Sequence, residues 1–224
     1  MLDKKYNAVI KRDMQVTEKQ IKQEKLEGRR QNILQAAVRV FKREGLSKTS
    51  MRTIALEAGC TTGAIYPLFS GKEEIYGALL EESLDRLYSH VASSSATEAD
   101  AFSALEKAAK AFFGYYAERR FEVDLGLYLF GEERSKGLGR QKDQLLNASL
   151  LRTLNIFKAC FVRLFEQAGL KEPEKQSVKE RDALFALLMG ALMLSHTGRA
   201  GSIGTDADTV LETYLATLRD KTKI

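Results

Sequence analysis

Residues Ser50 to Lys72, SMRTIALEAG followed by CTTGAIYPLFSGK, limit the fold more than any other stretch of the chain. Ile54 and Ala58 stand four apart, and Ala55 and Leu56 widen their stripe, so the first piece reads as a short amphipathic helix. Thr49 and Ser50 precede it as N-cap candidates, because a hydroxyl can accept from the orphan N–H groups of a first turn. Gly59 ends it where a positive φ lets the chain turn. Thr61 or Thr62 can cap a second, shorter helix through Ile65 and Phe69. Two short helices about a Gly-containing turn form a helix-turn-helix, here from Ser50 to Phe69. The second helix opens on Thr61, Thr62, Gly63 and Ala64. Small residues there allow close backbone approach to a groove, and hydroxyls can donate to phosphates or base edges.

The charge distribution points the same way. Residues 1–72 carry a net +8 and residues 73–224 a net −3, within a formal total of +5. A basic first third on an acidic remainder fits an electrostatic footprint for phosphate confined to one end. With 224 residues, two prolines and no tryptophan, the chain suits an all-α fold with a substantial core. Cys60 and Cys160 match no metal or redox spacing, which implies reduced thiols and a cytoplasmic protein. No apolar signal core opens the chain. The longest apolar run, Ala183 to Leu194, is too short for a bilayer of roughly 30 Å, so no membrane partner is expected.

From Ile33 to about Leu84 the chain resembles the DNA-binding region of the TetR family of transcriptional regulators. The resemblance rests on Ile33-Leu34 with Ala36-Ala37, then Phe41, Gly45 and Thr49-Ser50, and then Ile54-Ala55 and Ala58-Gly59. Gly63, Ile65-Tyr66, Phe69 and Lys72 complete it. It implies an all-α protein with an N-terminal three-helix head carrying the helix-turn-helix, and a C-terminal helical domain for ligand binding and dimerisation. The expected parts are a basic extension over 1–27, the DNA-binding domain over 28–72, and the C-terminal domain over 73–224. It also implies that Phe69 plugs the head and that the Tyr66 hydroxyl meets a phosphate. Two places depart from the family pattern: Cys60 stands where an aliphatic residue is usual, and Pro67-Leu68 replaces a polar or aromatic pair. The candidate DNA-contacting set is Thr49, Ser50, Arg52, Thr61, Thr62, Gly63, Ala64, Tyr66, Pro67 and Lys72. Lys72 opens the next helix, where its ammonium can meet a phosphate drawn to the helix N-terminus.

Along the rest of the chain, residues 1–27 space Tyr6, Ile10 and Met14 by four and read as a marginal helix, as a disordered arm adding phosphate or minor-groove contacts, or as a plain unstructured tail. A first firm helix, about 29–44, carries Ile33, Ala37 and Phe41 on one stripe. A helix over 72–91 continues from the head without a break and is the candidate lever between the two domains. Residues 92–97, ASSSAT, read as a linker. Further helices are expected at about 98–119, 121–134, 140–169, 177–198 and 206–221.

The helix over 177–198 is apolar nearly all round between Ala183 and Leu194, which predicts burial on every side. With the last helix it supplies a candidate homodimer interface of Leu184, Leu187, Leu188, Ala191, Leu192, Leu211, Tyr214, Leu215 and Leu218. Aromatic residues in the second domain serve either as packed core or as the lining of an apolar cavity. The candidate ligand residues are Tyr88, Phe102, Phe112, Phe113, Tyr116, Tyr128, Phe157, Phe161 and His196. Glu122 and Asp124 are either surface groups or contacts for a cationic ligand. No catalytic set, metal site or cofactor motif stands out: His90 and His196 form no acid–base pair, and neither cysteine has a partner. The expected function is a homodimeric repressor binding a double-stranded inverted-repeat operator and released by an unknown small-molecule effector. The alternative is an all-helical small-molecule-binding protein or enzyme that keeps the helix-turn-helix as scaffold.

Overall fold

A computed structural model describes residues 2–127 and 138–222, with side chains from Glu18 onward. Its described residues are helical, without strands. The helices are α1 (Leu2–Lys48), α2 (Met51–Glu57), α3 (Thr62–Ile65), α4 (Lys72–Ser95) and α5 (Ala101–Ala117). They continue as α6 (Arg120–Gly126), α7 (Arg140–Gln167), α8 (Pro173–His196), α9 (Arg199–Ser202) and α10 (Ala207–Thr222). The chain divides into two compact units, with the boundary inside α4 between Ala78 and Leu79.

In the first unit, Ile33, Leu34, Ala36, Ala37, Val40 and Phe41 form the buried face of α1. Ile54 and Ala55 of α2, Ile65 of α3, Phe69, Ile75 and Tyr76 complete this core. The Phe41 and Tyr76 rings lie 6.5 Å apart. Phe69 is 2% exposed and plugs the head, in keeping with the role the family resemblance gave it. Burying each large apolar side chain contributes about 1.5–3 kcal/mol. The first helix differs from expectation: no break separates an extension from it, and α1 runs from Leu2. Gly45 ends its regular part at φ 75°, where a side chain would be strained, and Lys48 lies past this bend.

In the second unit, α5, α7 and α8 pack together, α10 lies on α8, and α6 lies on α5. The core holds Phe112, Phe157, Phe161, Leu164, Leu184, Leu188 and Leu192. Helix α7 is 28 residues long and apolar enough to span a membrane by length and composition, but its large apolar residues Phe157, Phe161, Leu164 and Phe165 belong to this core. The expected linker over 92–97 is mostly helix. Ser93, Ser94 and Ser95 return their hydroxyls to the His90 and Val91 carbonyls, so α4 runs on to Ser95. Asp100 caps α5 by accepting from the Ser103 N–H at 2.7 Å. Helix α8 starts earlier than its apolar pattern suggests, with Pro173 in its first turn, where a missing N–H costs nothing. Helix α6 ends at Gly126, and the rest of the expected 121–134 helix, with Tyr128, lies outside the described residues.

Within the single chain α8 is covered on one side only. Leu184, Leu188, Ala191 and Leu192 face the chain's own core, while Ala183, Ala186, Gly190 and Met193 are exposed. The apolar run therefore has two faces, and only one is covered within the chain.

Candidate nucleic-acid interface and ligand cavity

The helix-turn-helix forms as its residues dictate. Ser50 adopts extended backbone and its Oγ accepts from the Thr53 N–H at 3.1 Å, capping α2. Gly59 turns the chain at φ 67°. Thr61 stands at the N-cap of α3 with no side-chain cap bond. The chain continues past Ile65 in a further turn, closed by the Leu68 and Phe69 N–H groups donating to the Ile65 carbonyl at 2.8 and 2.9 Å. Pro67 falls in this turn, where it removes no needed donor. Helix α1 is tied across the motif by Asn32 Nδ2 donating to the Ala58 carbonyl at 2.9 Å. Arg30 stacks over Phe69, 5.6 Å from the ring centre. Arg39 and Arg43 both reach Glu57 of α2, at 2.7 and 3.2 Å, so these cations are engaged within the head rather than merely solvated. Hydrogen bonds from Arg39 and then Arg43 hold the Glu57 carboxyl below the usual range.

Of the ten candidate DNA contacts, Arg52, Thr61, Gly63, Tyr66 and Pro67 are exposed, and Thr62 and Ala64 are partly so. Tyr66 is 54% exposed, which suits a hydroxyl directed outward. Ser50 is exposed but spends its hydroxyl on the cap and on Thr53. Two further candidates are engaged within the head. Thr49 is buried, and its hydroxyl donates to the Gly45 carbonyl at 2.7 Å. Lys72 points into the head. Its ammonium donates to the carbonyls of Leu46, Ser47 and Thr49 at 2.9, 3.2 and 3.1 Å. An ammonium has three donors, and all three are used. Lys72 thus closes the carbonyls that the Gly45 bend leaves open, and a phosphate would have to displace one of them.

The second unit contains a small cleft of about 50 Å³ between α4, α5, α6, α7 and α8. Phe112, Tyr116, Leu80, Leu84, Val123, Leu146, Phe185 and Met189 give it apolar walls. Glu122 and Asn147 are its polar groups. Of the described candidate ligand residues, Phe112 and Tyr116 line it. Phe102, Phe113, Phe157 and Phe161 are packed into the core. Tyr88 lines a separate, more open groove of about 450 Å³ together with Arg152, whose guanidinium lies 4.2 Å from its ring. His196 ends α8 and its Nε2 meets the Ala117 carbonyl at 3.0 Å, away from the cleft, with Nδ1 buried and unpartnered. Leu80 and Leu84 were missed because regular helical spacing cannot tell core from cleft.

Glu122 is the distinctive group. Tyr115 donates to its Oε2 at 2.7 Å, Ser83 donates to the same oxygen, and Arg86 lies 3.5 Å from Oε1. Burial, then the hydrogen bond to Glu122, pushes the Tyr115 hydroxyl above its ordinary value. Burial does the same to Tyr116. Asp124 does not line the cleft, and burial raises its carboxyl pKa.

Known proteins share both the motif and the fold. Residues 33–79 match the family model for bacterial regulatory proteins of the tetR family. The nicotine-responsive transcriptional repressor HdnoR of Paenarthrobacter nicotinovorans is 41% identical over 59 residues, 26% of this chain and 30% of that protein. The transcriptional regulator TtgR of Pseudomonas putida is 42% identical over 69 residues, 31% of this chain and 32% of that protein. These matches therefore span about 30% of the curated relatives' length. The crystal structure of the transcriptional regulator FadR from Bacillus subtilis in complex with stearoyl-CoA shares the fold. Its TM-score is 0.64 at 22% identity, over 81% of this chain and 95% of that one.

Proposed function

From the premise that this chain belongs to the TetR family through the DNA-binding region at residues 33–79, we propose that it is a homodimeric transcriptional regulator. It represses by binding an inverted-repeat operator and leaves the operator when a small ligand occupies the second unit. The observation that carries this is the exposed start of α3. Thr61, Thr62, Gly63, Ala64 and Tyr66 present small side chains and hydroxyls outward from a head closed on itself by Lys72, Asn32 and Glu57. Such a surface admits close approach to a major groove, with Tyr66 at a phosphate and Thr62 and Ala64 nearest base edges.

The dimer is argued from α8. A face of Ala183, Ala186, Gly190 and Met193 is apolar, exposed and made mostly of small residues, which suits close packing against the same face of a second copy. The ligand site is the cleft beside Glu122. Its walls suit an apolar body, and its carboxylate suits a donor or cationic head over an anionic one. At about 50 Å³ it must widen to admit a ligand, since binding pockets run to roughly 300–1,000 Å³. That one similar protein is named nicotine-responsive and another is solved with stearoyl-CoA supports a small-molecule signal. A protein of this kind works in the cytoplasm on double-stranded DNA and needs no catalytic group.

Selection of bound duplexes from a random DNA pool tests the reading. The expected product is a dyad-symmetric site with half-site centres about 34–36 Å apart or a multiple of that. Selected sites without symmetry, or no retained duplex at low salt, would sink it.

A further inference from the structure

The extension of α1 leaves the head as bare helix. Every residue from Glu18 to Arg29 is exposed, so this part of α1 buries no core of its own. At about 100° per residue, a helix assigns each position a direction. Lys19, Lys22, Lys25, Arg29 and Arg30 then fall within a sector of about 140°. Glu24 and Glu27 lie outside that sector, and Glu18 is the one acidic residue within it between Glu18 and Arg30. The buried face of α1 inside the head, from Ile33 to Phe41, occupies nearly the same sector. One side of a single helix is thus apolar where it meets α2 and α3, and basic where it runs past them. The changeover sits beside the DNA-reading motif: Asn32 holds the carbonyl of Ala58 just before the turn, and Arg30 covers Phe69 just after α3. Among the described residues, Lys19, Lys22, Lys25 and Arg29 have no carboxylate partner.

We propose that the α1 extension is a helical arm that lays Lys19, Lys22, Lys25 and Arg29 on the phosphates of duplex DNA flanking the half-site read by α3. The proposal rests on the reading that the head binds DNA, and it assigns a second, sequence-independent contact to the same chain. From Lys19 to Arg29 the helix rises about 15 Å. That length covers about four base pairs of flank at 3.4 Å each. The cations supply affinity without specificity, because phosphates are the same whatever the bases. A pairing of two such arms through the exposed Ile21 and Leu26 is the competing arrangement.

The test uses the full chain with Lys19→Gln, Lys22→Gln and Lys25→Gln combined. Its control is Lys171→Gln, Lys175→Gln and Lys179→Gln, which removes the same charge from exposed positions of the second unit. Each protein is titrated with salt on two duplexes, one carrying the selected site with about ten flanking base pairs on each side and one trimmed to the site. The unaltered chain and the control should lose about tenfold in affinity on trimming, and the arm variant, which keeps only Arg29 of the four contacts, about twofold. On the long duplex the arm variant should flatten the log–log salt slope by about 2.7 per chain, at roughly 0.9 per contact. Circular dichroism should be the same for all three proteins. An arm variant with the unaltered slope, or one that changes only the assembly size, overturns the proposal. Failure of the unaltered chain to bind either duplex removes the DNA-binding reading itself, and the arm with it.

Discussion

Lys72 shows how one side chain can be legible in position and not in partner. The glycine before it and the helix after it are plain in the sequence, and a lysine at a helix start reads as a cation free for phosphate. Its three acceptors lie 23 to 26 residues earlier, and they converge only because Gly45 bends the chain. No local pattern contains that information. By contrast Gly59 and Ser50 act through their immediate neighbours, and each sits where the sequence puts it. Lys72→Met should therefore lower the stability of the head by about 2 kcal/mol, the scale of hydrogen bonds made by a charged group. The measurement is thermal unfolding; an unchanged midpoint with a flatter salt slope would return Lys72 to the DNA surface. Tyr66→Phe should do the opposite. It removes an exposed hydroxyl, so unfolding stays as it was while binding to cognate and random duplexes weakens alike. A loss confined to cognate duplex would make Tyr66 a base reader.

Among the helices, α8 was the least well read. Twelve apolar residues in a row carry no periodicity, so the sequence could not separate the face that packs inward from the face left open. The interface residues expected from the pattern divide accordingly. Leu184, Leu188, Ala191 and Leu192, with Leu211, Leu215 and Leu218 of α10, are buried within the chain and closed to a partner, while Leu187 and Tyr214 remain partly exposed. Gly190 has open space around the position of a Cβ. Gly190→Arg should leave the fold of one chain intact and block close packing of two, which sedimentation would report as a monomer. Leu188→Ala should instead cost about 2–5 kcal/mol by opening a core cavity. A Gly190→Arg protein that stays dimeric would move the interface to another surface.

For the whole molecule, the all-helical plan was legible because helical periodicity and glycine breaks recur along the chain, whereas the cleft was not, because Phe112 and Phe157 look alike in sequence and only one of them lines it. The cleft and the exposed start of α3 belong to different units, and α4 runs unbroken from Lys72 to Ser95 between residues of both. If a ligand at Glu122 favours a dimer that binds operator less well, DNA must weaken the ligand by the same factor, typically about 5–150-fold. Ligand affinity measured with and without saturating operator checks this; equal values would leave a constitutive DNA binder. Glu122→Gln should weaken a cationic ligand more than a neutral one of the same shape, and equal losses would make Glu122 a structural partner of Tyr115 alone. The bonds that close the two units also set an order in time. In the head they join residues 26 apart, at Asn32 with Ala58 and Lys72 with Leu46. In the second unit they join residues 79 and 113 apart, at His196 with Ala117 and Arg219 with Glu106. A ribosome adding about 5–20 residues per second needs roughly 7–30 s to make the chain beyond Ala78. For most of that interval a nascent chain holds a finished head without a completed α8, so on the proposed reading it would meet a half-site singly and loosely. On the proposed reading, stalled or unfinished copies would compete poorly for an operator that completed pairs would occupy.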